Sequence, residues 1–283
     1  MKNNDRLANL EINENGEKQI TILNKEFETK DLDELFDSLQ IVSEYKRIDN
    51  IYNMVINNGK DYYNIMKLSE NITYINKNKI SSNELVMKVN RAIFNYCSSI
   101  GMYLDVIEKS LVSIDKQKLD IFRKECNRLY DEKLAYRFFC IMRNYILHYD
   151  LPYNVHKMSL ESSKVICTKE HLLKFKKWKH VKKDIEEMES EVDIVGMVNE
   201  MNVSLTILLL LYQLLISDKV IKSWEISNTF MKKYEVTRPV VVRNYSVEAH
   251  KKGDLTVTPI DLSGLISLMK QLMDHPNINI RTK

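Results

Sequence analysis

The chain has 283 residues, with 42 Lys and Arg against 39 Asp and Glu, and its net charge of +3 is too small to declare a nucleic-acid partner from bulk charge. Hydrophobic residues at 44% and charged residues at 29% are the balance of an ordinary soluble globular protein rather than a disordered or low-complexity chain. Only 6 Gly and 4 Pro occur, which argues against many short strands and turns and for long helices.

Residues 8–28 alternate, with Leu10, Ile12, Ile20 and Ile22 around Asn15-Gly16, and predict a β-hairpin. From 32 to about 57, Leu35, Leu39, Val42, Tyr45, Ile48, Tyr52 and Val55 recur at helical spacing, and a second helical piece follows over 61–75. Ser81-Ser82 caps a predicted helix over 83–112, with Val86, Val89, Ile93, Ile100, Leu104, Ile107 and Leu111 on one face and Arg91, Asn95 and Ser98 or Ser99 on the other. One long helix is predicted from 116 to 149, stopped by Pro152. A short strand over 165–168 and a helix over 169–179 come next. A helix over 185–222 follows, apolar nearly all round between Val203 and Ile216. That apolar run of 14 residues is shorter than the roughly 20 a membrane span needs, so it predicts a buried core helix and no membrane contact. Strands at Pro239-Val-Val-Val and Leu255-Thr-Val-Thr and a helix over 261–274 close the chain. The expected fold is mainly α, a helical bundle with a small N-terminal β-hairpin and a few short C-terminal strands. It divides into 1–30, 31–222 and 223–283, or stands as one domain.

Cys97, Cys126, Cys140 and Cys167 form no CxxC pair, and no histidine cluster has zinc spacing. They read as reduced thiols of a cytoplasmic protein, with no metal and no cofactor expected. The polar N-terminus predicts no signal peptide.

The chemistry concentrates in Arg-Asn-Tyr-Ile-Leu-His-Tyr-Asp-Leu-Pro over 143–152. Arg143 offers a fixed cationic fork that suits phosphate, and His148 a group that exchanges protons near neutral pH. Positions seven apart on a helix nearly superpose, so Arg137, Asn144 and His148 share one stripe and Tyr136 and Arg143 another. Five residues on an ideal helix separate Arg143 and His148 by roughly 140°. Three arrangements reconcile them: a bent Arg143 stem, a distorted last turn, or two copies of the helix sharing one site. The same residues also have a structural reading, with His148 capping helix carbonyls and Arg143 paired with Asp105 or Asp131.

Arg143-Asn144-x-x-x-His148 resembles the Rx4H motif of the HEPN superfamily, the higher eukaryotes and prokaryotes nucleotide-binding domains. Asn90-Arg91-x-x-x-Asn95, Tyr103-Leu104-Asp105, Tyr130-Asp131 and Ala135-Tyr136-Arg137-Phe138 extend the resemblance to a group of little-characterised bacterial proteins over about 85–152, roughly a quarter of the chain. It implies a helical bundle that dimerises through the motif helices. It also implies metal-independent endoribonuclease activity in toxin–antitoxin, abortive-infection or antiphage systems, with RNA as substrate and an antitoxin or defence protein as partner. Carried over, Arg143 and His148 are catalytic and Asn144 supports them, while Arg91, Asn95, Tyr136 and Arg137 orient the motif. Some toxins of the superfamily carry a modifiable tyrosine two residues after the histidine; here Tyr149 is one residue after, a departure from that arrangement. A non-catalytic nucleotide- or protein-binding module, or a helical scaffold, remains the alternative.

The most basic stretch, over 175–183, places Trp178 among Lys176, Lys177 and Lys179. Lysines would track a phosphate backbone and the indole would stack a base, against a plain reading as a solvated helix face.

Overall fold

The structure, a computed structural model, describes residues 4–23 and 26–279. The chain is mainly α. In order, its elements are β1 (Arg6–Ile12), β2 (Lys18–Ile22), α1 (Thr29–Glu70), α2 (Ile72–Lys77), α3 (Ser82–Ile114), α4 (Lys116–Glu132), α5 (Leu134–His148), β3 (Val155–Met158), β4 (Ser163–Ile166), α6 (Lys169–Leu173), α7 (Val181–Glu187), α8 (Ile194–Tyr234), β5 (Pro239–Arg243), α9 (Val247–Lys252), β6 (Thr256–Pro259) and α10 (Ser263–Met273). The chain forms two compact units, one of residues 47–212 and one of the residues up to 46 with those from 213 on.

In the unit formed by the two ends of the chain, β1 and β2 make the predicted hairpin, with Ala8 opposite Ile22 and Ile12 opposite Lys18. Residues 24 and 25 of the predicted hairpin stretch lie outside the described residues. β1 also pairs with β5, and β5 with β6, so the hairpin and the C-terminal strands form one antiparallel sheet in the order β2-β1-β5-β6. The sequence treats these strands as two separate appendages, because long-range pairing leaves no local signal. Leu7 and Val241 face a core with Leu32, Leu35, Phe230, Tyr234 and Ile260, while Ala8, Val240 and Val242 line the other side of the sheet. Between β5 and β6 the chain forms a short helix, α9, capped by the Ser246 hydroxyl accepting from the Ala249 N–H.

In the other unit, α3 supplies the centre. Ser81 accepts from the Glu84 N–H at its start, as the sequence predicts. Ile93, Tyr96, Ile100, Tyr103, Ile107 and Leu111 are buried along its length. The sequence predicts two helical pieces, over 32 to about 57 and over 61–75, yet α1 is continuous from Thr29 to Glu70. A Cβ on Gly59 would lie 3.1 Å from the Tyr96 ring, so this glycine permits close approach of α1 to α3 rather than ending a helix. Asn58 reinforces the crossing by donating to Ser99 Oγ at 3.0 Å.

The helix predicted over 116–149 is two helices. Lys133 has φ −114° and ψ 111°, an extended conformation that ends α4 and re-aims α5. The helix predicted over 169–179 ends at Leu173, because Phe175 and Trp178 both turn inward and Lys179 adopts φ 54°. β3 pairs with β4, whose residues 163–166 begin two positions before the predicted strand. The predicted helix over 185–222 is α7 followed, after residues 188–193, by α8. By length and composition α8 alone among the described helices is long and apolar enough to cross a membrane, and 39% of its most apolar stretch of 18 residues is buried within the protein. Its apolar stretch is therefore not buried all round: Leu205, Leu208 and Tyr212 are covered while Val203 is 60% exposed. Its polar groups find protein partners, with Asn202 accepting from Tyr96 at 2.8 Å, Thr206 bonded to Tyr52 at 2.7 Å and Tyr212 to Ser110 at 2.9 Å.

Candidate functional site

α5 is apolar on the side it presents to its own unit. Ala135, Phe138, Phe139, Met142, Tyr145 and Ile146 are buried. The remaining positions toward its C-terminal end, Arg143, Asn144, Leu147 and His148, make a solvent-facing strip. Arg143 lies at one edge, His148 at the other, and Asn144 and Leu147 between them. The helix is regular to its end: the Tyr149 N–H bonds the Tyr145 carbonyl at 2.9 Å. The last turn is therefore not distorted, and the 140° or so between Arg143 and His148 stands.

Nor does Arg143 bend toward His148. Its stem crosses α3 over Gly101, where an added Cβ would fall 2.3 Å from Nε, and its Nη2 reaches Asp105 Oδ2 at 3.3 Å. The side chains of this pair are 38% and 54% exposed, so the contact contributes at most about 1 kcal/mol. The pairing with Asp105, one of the structural alternatives, is thus present. The other is present in part: His148 stands in the last turn of α5, where a basic residue suits the helix dipole, but among the described residues neither His148 nor Asn144 makes a side-chain hydrogen bond, and both are exposed.

The four supporting residues separate. Arg91 and Asn95 lie on the exposed side of α3, which also carries Phe94 and Met102 and adjoins Gly101 and Asp105. Arg137 is fixed: its Nε and Nη2 each donate to Asp184 at 2.8 Å, locking α5 to α7, and Nη1 donates to the Asp131 carbonyl. Tyr136 is 2% exposed, which makes it a packing residue inside the unit. Burial pushes the Cys126 thiol up to about 11 and Cys140 up to about 12. Neither is an activated nucleophile.

Trp178 corrects the expectation of a base-stacking residue. It is fully buried, its indole N–H donates to the Leu172 carbonyl at 2.6 Å, and its ring is stacked between Tyr145 at 5.4 Å and Phe138 at 5.8 Å. Lys176, Lys177 and Lys179 are exposed around it.

The chain after the motif is held by residues the sequence left without a role. Buried Asn90 accepts from the Tyr153 N–H at 3.0 Å and donates to the Tyr153 carbonyl at 2.8 Å, and so fixes the strap just past Pro152. His171 is bonded to the Leu151 carbonyl at 3.0 Å and lies 3.5 Å from Asp150. Gly101 was readable only as one of six glycines placed mid-helix on the side of α3 that carries Asp105. A cavity of about 530 Å³ lined by Tyr63, Lys67, Tyr153, Lys164 and Asp193 opens elsewhere in this unit. Among the described residues no group of three or more His, Cys, Asp or Glu side chains is placed to hold a metal ion. No protein-family model, curated protein or solved structure matches the chain.

Proposed function

We propose that the chain is a metal-independent endoribonuclease whose active site uses Arg143, Asn144 and His148. The observation that carries this reading is the contrast between two arginines six residues apart on α5. Arg137 is committed to Asp184 by two short hydrogen bonds, whereas Arg143 has one long exposed contact and shares its strip with an unengaged amide and an unengaged imidazole. Their exposure leaves the amide of Asn144 and the imidazole of His148 open to a ligand.

Cleavage of RNA through its 2′-OH requires that hydroxyl to lose a proton, the crowded phosphate to be stabilised, and the leaving 5′-oxygen to gain a proton. The products are a 2′,3′-cyclic phosphate and a 5′-OH end. Neutral His148 takes the first proton. Arg143, released from Asp105, stabilises the phosphorane charge, and Asn144 orients a phosphate oxygen or the imidazole. One chain offers a single motif histidine, on the far edge of the strip from Arg143. A second copy, meeting the first across α5 and the exposed side of α3, supplies the protonated His148 that serves as the acid. Phe94, Met102 and Leu147, 37%, 41% and 44% exposed, are the apolar material for that contact. The toxin or antiphage setting and a restraining partner protein belong to the same proposal.

A second reading, a non-catalytic nucleotide- or protein-binding module, draws on the Asp105 carboxylate that already occupies Arg143. Incubating wild type, Arg143→Ala and His148→Ala with RNA in EDTA separates the two. The enzyme reading expects cleavage that survives chelation and falls at least about a hundredfold in both variants. Equal cutting by His148→Ala sinks it, and binding without cutting favours the module.

A further inference from the structure

The residue after His148 is the C-cap of α5, Tyr149, and its side chain is 49% exposed. Its ring is backed from within: it lies 5.3 Å from Phe175 and 5.5 Å from Tyr145. Behind these, Tyr145 stacks on Trp178 with 21° between the planes, and Trp178 on Phe138 with 15°. The exposed tyrosine is thus the outermost ring of an aromatic column rooted in the core.

The segment that supplies Phe175 and Trp178 turns those rings inward. Lys174, Lys176, Lys177 and Lys179 on the same segment are exposed. None of the four has an ion-pair partner among the described residues, whereas Lys67, Lys88, Lys157, Lys164, Lys182 and Lys233 are all paired with carboxylates. Of the acidic groups close by, Asp184 is engaged by Arg137, and Asp150, 53% exposed, stands 3.5 Å from His171.

We infer that Tyr149 and Lys174, Lys176, Lys177 and Lys179 form a binding platform for single-stranded RNA beside His148, with a base next to the cut stacked on Tyr149 and the backbone beyond it running over the lysines. The inference rests on the endoribonuclease reading for the identity of the strand. The chemistry selects the strand form: a base reaches a side-chain ring only when it is free of its own neighbours, and closely spaced cations track phosphates whatever the sequence. The aromatic residue of the basic stretch is therefore structural, and the stacking surface is contributed by the helix end it supports.

The test uses a short fluorescein-labelled 2′-O-methyl oligouridylate, which lacks the nucleophilic hydroxyl, and reads binding by anisotropy across a salt titration. Tyr149→Ala is expected to weaken binding about tenfold at every salt concentration while Tyr149→Phe keeps it. The double variant Lys176→Ala/Lys177→Ala should flatten the dependence of log K on log salt by about 0.7 per lysine. These lysines are exposed, so that arm stands even if Tyr149→Ala loosens the fold. Unchanged affinity in Tyr149→Ala, an unchanged salt slope in the lysine variant, or equal affinity for an RNA duplex each overturns the platform. Wild type assayed in parallel on cleavable RNA in EDTA keeps the two claims apart. Cutting without Tyr149-dependent binding leaves the enzyme and removes the platform; Tyr149-dependent binding without cutting does the reverse.

Discussion

Gly101 gives Arg143 its path. Because a Cβ there would overlap the far end of a flexible side chain rather than backbone, Gly101→Ala displaces the guanidinium at little structural cost. The substitution also removes a glycine from a helix interior, a gain of up to about 1 kcal/mol. The expected result is a protein as stable as wild type or more so in thermal denaturation; on the endoribonuclease proposal, RNA cleavage in EDTA falls on the order of a hundredfold because the guanidinium proposed to bind phosphate is misplaced. Full activity in a stable Gly101→Ala protein would show that Arg143 does not act from its path over α3. A second prediction at this scale concerns Glu191, whose carboxyl is hydrogen-bonded by Lys157 at 2.8 Å and by Lys164 at 2.5 Å and is held down from 4.5 to about 2. A depressed acid stabilises the fold above its ordinary value and loses that contribution as pH falls through the lowered one. The tie between the β3–β4 hairpin and the segment before α8 is thus complete above about pH 4.5 and lost on acidification toward 2. A carboxyl NMR titration should place the Glu191 midpoint near 2 and move it up in Lys164→Ala; a wild-type midpoint at 4.5 contradicts the tie.

Elements decide which polar residues are free to act. The Arg137–Asp184 pair, with side chains only 19% and 22% exposed, fastens α5 to α7. Arg137→Ala should cost about 2–4 kcal/mol in urea denaturation, since it strands a half-buried carboxylate. Arg143→Ala should cost at most about 1 kcal/mol. Equal costs for the two would mean that Arg143 is as structural as Arg137. The sequence could not rank them, because both arginines sit on the edge of the same apolar helix face and the acid that claims Arg137 comes 47 residues later. Much else in the helical unit was legible: the Ser81 cap, the apolar face of α3 and the end of α5 near Pro152 follow from local chemistry. What was not legible has physical causes. The break at Lys133 carries no Gly, no Pro and no side-chain cap, so no local signal marks it. Gly59, which falls between the two predicted helical pieces, lies inside α1 because the Tyr96 ring packs against it, a contact with no local signal. Trp178 reads as a ligand-stacking residue among lysines, because a segment that turns its aromatics inward looks, in one dimension, the same as one that turns them out.

At the scale of the whole molecule the question is whether one chain contains the site. On a regular α5, Arg143 leans over α3 and His148 faces away at the other edge of the strip, so a single copy presents two half-sites pointing in different directions. If two copies pair about a two-fold axis, the same surface meets itself, and on the endoribonuclease proposal each cut draws its base from one copy and its acid from the other. That arrangement has a consequence no single-chain site shares. A pair then needs both histidines, and His148→Ala refolded with an equal amount of wild type so that subunits mix leaves about a quarter of the pairs with both. Cleavage in EDTA at about a quarter of the rate of the same total amount of wild type, rather than the half that independent chains give, is the expected outcome. The extra loss should disappear when Leu147→Glu is added to the His148→Ala chain, since a charge buried in the shared apolar contact opposes pairing with wild type. A mixture at half the wild-type rate, in a protein whose wild type cuts, would assign both proton transfers to one chain.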